Sequence, residues 1–200
     1  MHCLKIFERK RGCQGFTLIE VLVAISIFSV FLIIVAPSFQ DFFIKNRIRR
    51  ISDDFHQSIF KAKNTAVSKN TCAVMCMSGA TSSGSLACAT GGSDWQPGWM
   101  VFLNASCDYS RNLPENSDDI LEIRSGIGND YVLQSQSSTP TRKIMFTARG
   151  IQTVGNADEF DLIYKDVSNK KNETLGLNIC LDALGRLRNI PHSNTCKNYK

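Results

Sequence analysis

Histidine is scarce in this chain: three occur among 200 residues, and only His56 and His192 lie beyond the first membrane-length apolar run. Neither stands beside a cysteine pair and no C-x-x-C spacing occurs, so no zinc-ligand set is written in the sequence. The G-x-x-x-x-G-K-[ST] phosphate loop, H-E-x-x-H and G-x-S-x-G are also missing, and the glycines of "ATGGSDW" lack the lysine that a phosphate loop needs. The carboxylate pairs Asp53–Asp54 and Asp118–Asp119 fall at helix or turn positions and read as solvated faces. We therefore expect no catalytic residues, no cofactor and no metal. No repeat of 20–50 residues is evident, which excludes solenoids and propellers. Basic residues exceed acidic ones by 23 to 18, for a formal charge of +5, too small an excess to name an acidic partner without a local patch.

Charge is nearly absent from Phe16 to Ala36, where the sole ionisable residue is Glu20. At 1.5 Å per residue this run spans about 30 Å as a helix, enough to cross a bilayer core. Lys5, Arg9, Lys10 and Arg11 precede it, which orients the N-terminus to the cytoplasm by the positive-inside rule. An ordinary cleaved secretion signal fits badly, because the run is too long and Pro37 follows it directly. An acid in such surroundings costs about 2.5–3.5 kcal/mol at mid-membrane and less near the interface, so it needs a partner. A cut between Gly15 and Phe16 would supply one: the new α-amine lies one helical turn from Glu20. Pairing between neighbouring chains would set their axial register.

Eight cysteines are many for this length, and six of them follow the apolar run: Cys72, Cys76, Cys88, Cys107, Cys180 and Cys196. An even set on the far side of a membrane signal reads as disulfides, with 15 possible connectivities. Beyond Pro37, Ile48, Ile51, Phe55, Ile59, Ala62 and Ala66 step at helical spacing, so a helix is expected to about Ser68 with this stripe on the globular domain. Lys45, Arg47, Arg49 and Arg50 form a basic cluster suited to headgroups or solvent. From Asn70 onward short runs such as "CAVMCM", "GWMVFLN", "DDILEIRSG" and "DEFDLIYKD" predict roughly seven antiparallel strands, with "VSNKKNET" as an exposed turn. "DDILEIRSG" alternates Leu121 and Ile123 against Glu122 and Arg124.

Near the C-terminus, "LDALGRLRNI" places a turn at Ala183–Gly185 and two arginines, Arg186 and Arg188, two residues apart. On a strand these project from one face about 7 Å apart, near the phosphate spacing along DNA, while Leu187 faces the core. A Cys180–Cys196 bond would close a loop around both arginines, and the remaining four cysteines stay unassigned. Arg142, Lys143 and Arg149 are weaker candidates if "TRK" and "TARG" flank the same sheet end, and Lys197 adds charge if the tail folds nearby.

"GFTLIEVLVAISI" resembles the type III signal of type IV pilins and type II secretion pseudopilins, with Gly15 at the cut, Phe16 as first mature residue and Pro37 in the helix. "WQPGWMVFLN" resembles the W-x-x-G-W-x-V-F segment of FimT/GspH-like minor pilins, although Asn104 stands where that subgroup often has aspartate, and "FTARG" and "GRLR" resemble it too. The resemblance implies an α+β, type IV pilin-like fold: a long N-terminal helix, transmembrane then amphipathic, packed on an antiparallel two-sheet β domain. The implied order is a cleaved leader over 1–15, a membrane and filament-core helix over 16–36, an amphipathic helix over 37–69 and a disulfide-bonded globular β domain over 70–200. It further implies cleavage and N-methylation at Phe16 by prepilin peptidase. It implies anchoring in the inner membrane with a periplasmic domain, then extraction into a filament with other pilins. For a G-R-x-R motif it implies DNA capture in natural transformation, here through Gly185, Arg186 and Arg188. The alternative expectation is a structural, H-type pseudopilin of type II secretion.

Overall fold

The computed structural model describes residues 16–79, 86–153 and 157–196, with side chains described outside 33–38. Helix α1 runs Leu18–Ser68, and the chain divides into two compact units between Gln40 and Asp41. In the first unit Thr17 caps the helix, its Oγ1 accepting the Glu20 N–H at 3.3 Å, so Glu20 occupies the third helical position of a T-x-x-E start. The hydroxyls of the apolar run turn onto their own backbone: Ser26 donates to Val23 O and Ser29 to Ser26 O, each at 2.8 Å. Among the described residues no helix is long and apolar enough to cross a membrane. The expected span over 16–36 includes side chains at 33–36 that lie outside the described ones, as do Gly15 and the Pro37 side chain.

The second unit is built on the remainder of α1. The stripe Ile48, Ile51, Phe55, Ile59, Ala62 and Ala66 is buried to 2% exposure or less, as its spacing requires. Eight strands, one more than the sequence suggested, form two antiparallel four-stranded sheets. They are β1 Cys72–Met77, β2 Gly98–Asn104, β3 Ile120–Ser125, β4 Tyr131–Ser135, β5 Lys143–Phe146, β6 Asp158–Tyr164, β7 Leu177–Leu181 and β8 Leu187–Pro191. Their orders are β3-β2-β1-β5 and β4-β6-β7-β8.

Phe55 is the hub of the core. Its ring meets Trp95, Trp99 and Phe160 edge-on at 5.2, 5.4 and 5.2 Å. Both indoles are satisfied: Trp95 Nε1 donates to Thr141 O at 3.0 Å and Trp99 Nε1 to Ser58 Oγ at 2.9 Å. The glycine between these tryptophans has a steric cause. Gly98 has φ +111°, and a Cβ there would lie 2.2 Å from Arg124 O.

Strand β1 is buried at every position because both of its faces are covered. Ala73, Met75 and Met77 join the core under α1. Cys72, Val74 and Cys76 belong to a second, smaller core with Cys88, Met100, Phe102 and Met145. Two disulfides, Cys72–Cys107 and Cys76–Cys88, tie the covering loops onto this outer face.

Two expectations change. The alternation in "DDILEIRSG" breaks at a bulge, since Val101 pairs with Glu122 and Phe102 with Ile120. Glu122 then turns to α1, where it accepts from Ser58 Oγ at 2.9 Å and pairs with Lys61, and Ile123 is left 54% exposed. "VSNKKNET" is not a plain turn. It holds helix α2, Asn169–Leu175, capped by Ser168 and pinned by buried Asn172, whose Nδ2 donates to Tyr164 O at 2.9 Å.

Candidate functional site: the terminal hairpin

β7 and β8 pair from Leu177↔Pro191 to Leu181↔Leu187, joined by a tight turn. Gly185 N–H donates to Asp182 O at 2.9 Å and Asp182 N–H to Arg186 O at 3.0 Å, the pattern of a three-residue loop with a bulge at its left-handed residue. That residue is Gly185, with φ +72°. Its face lies on the Phe146 ring, where a Cβ would approach Cε1 to 2.3 Å, so no other residue fits without strain. Asp182 holds the loop from within, its Oδ1 accepting from Leu184 N at 2.9 Å and Arg186 N at 2.7 Å. Burial works against this carboxylate, yet the backbone and guanidinium bonds from Arg186 hold it below the usual aspartate range.

Arg186 pairs through Nε with Asp182 Oδ2 at 2.5 Å and is 68% exposed. Arg188, opposite Cys180 in β8, is exposed, while Leu187 between them packs toward the core. The Cys180–Cys196 disulfide ties the following segment back to β7. Arg149 is exposed beside Gly150, and a Cβ at Gly150 would lie 3.3 Å from Lys63 Cε, which puts this turn on the hairpin side. Lys197 lies outside the described residues.

The structure does not gather the other candidates. β5 separates "TRK" from "TARG": Phe146 reaches Gly185, whereas Lys143 stands at the opposite strand end. Lys143 Nζ donates to Tyr109 O, Arg111 O and Asn112 Oδ1, and burial lowers its pKa. Arg142 Nε donates to Gly92 O at 2.7 Å. These two side chains line a separate concavity of ≈ 430 Å³.

Sequence reading missed Lys63. On α1 it stands on the stripe His56, Phe60, Lys63 and Val67, and its Nζ donates to Leu184 O at 3.2 Å in the hairpin turn. The signal was the i, i+4, i+7 spacing beside the core stripe, which carried no marker of what it faces.

The model of the family described as type II transport protein GspH matches residues 52–185. The chain belongs to the GspH family. The match to this GspH-family chain ends at Gly185, so Arg186, Arg188 and the disulfide-held segment stand just beyond it. A prokaryotic N-terminal methylation motif matches residues 10–36. No curated protein matches the sequence. Among solved structures, the type IV minor pilin FimU of Pseudomonas aeruginosa is similar at TM-score 0.51 and 15% identity, over 74% of this chain and 92% of that one. The minor pseudopilin EpsH of the type 2 secretion system of Vibrio cholerae matches at TM-score 0.47 and 8% identity, over 74% and 99%. The family chain thus has a pilin-like fold, a long helix on a two-sheet antiparallel domain.

Proposed function

We propose that this GspH-family chain is a minor pilin of a type IV pilus that takes part in pilus assembly and binds DNA without sequence preference. The methylation motif supports processing between Gly15 and Phe16 by prepilin peptidase, with N-methylation of Phe16 and an inner-membrane anchor before entry into the filament. The role is one of assembly and binding, with other pilins as partners. The observation that carries DNA binding is the hairpin itself. A fixed turn and a disulfide hold Arg186 and Arg188 in exposed positions, with Lys63 against the turn. Rigid display limits the entropy lost on contact with phosphates. Few phosphate contacts make each subunit weak, on the order of micromolar or poorer, and several subunits at a pilus tip would gain by multivalency.

The full chain in nonionic detergent should retard duplex DNA at low salt. Arg186→Gln with Arg188→Gln should abolish most of this binding and flatten the log–log salt dependence by about 2. Melting temperature should fall only slightly, because Asp182 loses the Arg186 guanidinium but keeps its backbone donors. Equal retardation by both proteins refutes the site. The second reading is a structural pseudopilin of type II secretion, supported by the family's description as a type II transport protein. It expects no retardation by either protein and a secretion cluster among the neighbouring genes.

A further inference from the structure

Phe60 lies in the compact unit, on the amphipathic part of α1, yet it is 64% exposed. Its ring borders a groove of ≈ 450 Å³ between α1 and the β7–β8 turn, within the roughly 300–1,000 Å³ range of small-ligand sites. The residues one helical turn away frame it with polar groups: Gln57 and Asn64 carry amides and Lys63 a cation. Arg186 lines the opposite wall. Two cations, Lys63 and Arg186, thus border the groove, Arg186 paired with Asp182 and Lys63 donating to Leu184 O, while Asp53 lies near His56.

An exposed ring among amides and cations matches one chemistry well. A nucleobase stacks on an aromatic face, its edge meets side-chain amides, and the adjoining phosphates meet lysine and arginine. A duplex keeps its bases stacked inside and meets only the cations. We propose that this groove takes a single unpaired nucleotide of single-stranded DNA, stacked on Phe60, with its flanking phosphates on Lys63 and Arg186. The inference rests on the DNA-binding reading above and adds the strandedness and the stacking residue. A hydrophobic side chain of a second subunit is the competing occupant.

The full chain in detergent is titrated with labelled oligothymidylate, a duplex of equal length and an abasic strand of equal length. Single strands should bind more tightly than the duplex, and the abasic strand should bind no better than the duplex. Phe60→Ala should weaken oligothymidylate about 5- to 100-fold and leave duplex binding unchanged. Phe60→Trp should retain it, and both variants should fold, since the ring is mostly outside the core. Wild-type affinity of Phe60→Ala for oligothymidylate overturns the stacking site, while loss of duplex binding in the arginine variants keeps the DNA reading. Failure of every probe to bind overturns both. Normal oligothymidylate binding with lost filament incorporation in Phe60→Ala assigns the ring to a neighbouring subunit and overturns the groove as a nucleotide site.

Discussion

Phe55 and Phe60 sit on the same helix, yet one has 0% exposure and the other keeps 64%. The hydrophobic period separates them, because Phe55 falls on the 48-51-55-59-62-66 stripe and Phe60 beside it. What faces Phe60 is decided by a turn more than a hundred residues away, and no local pattern encodes that. His56, on the Phe60 side of the stripe, has a measurable consequence. Burial lowers its pKa from the ordinary 6.5, against smaller opposing effects of Asn189 on β8 and Asp53 on its own helix. The unfolded chain therefore takes up a proton near pH 6.5 that the native state resists. Stability from this group is complete above that pH and is lost as pH falls through it toward the folded value. Thermal melts at about pH 7.5 and 5.5 should show a drop that His56→Gln reduces; equal drops in both proteins would remove the role given to burial.

Strands with strong β-formers were legible because each carries period-2 or continuous apolar residues, as in β1 and β2. The turn before β8 was legible through Gly185, whose positive φ is now tied to the Phe146 ring. Three features were not. α2 has a polar surface and few apolar residues, so its cap at Ser168 was the only signal. The bulge at β2–β3 reverses which side of β3 meets α1, and a bulge leaves no mark on alternation read from one strand. The distance between Lys143 and Gly185 depends on strand order. At this scale the hairpin makes its own prediction. Cys180 and Cys196 are separated by 16 residues, a loop whose closure is worth about 3 kcal/mol. Replacing both with alanine should lower unfolding free energy by about that amount and weaken DNA binding several-fold, checked by urea titration and gel retardation on the same protein. Lost stability with unchanged binding would mean that rigid display contributes nothing.

Across the whole chain, the two compact units pose different problems. The first presents Phe16 to Leu32 with every described side chain exposed, which suits lipid or neighbouring helices as surroundings. The Thr17 hydroxyl takes only the backbone N–H of Glu20 at the helix start, a bond that any residue but proline would keep there. Glu20→Gln therefore removes the charge and leaves the helix start intact. Terminal mass spectrometry should find the variant cut at Phe16, and blots of sheared filaments should find it several-fold depleted; normal incorporation would refute charge pairing with the α-amine. In the second unit, the outer face of the β3-β2-β1-β5 sheet is lined by Val74, Met100, Phe102 and Met145 under loops that two disulfides secure. Among the described residues the helix-facing core contains no cystine. A reducing environment thus threatens one side of this sheet and spares the other. Reduction of these two disulfides should release the loops over that back face and bare its thioether- and phenyl-rich floor to solvent, so the reduced protein should bind a hydrophobic dye that the oxidised one does not.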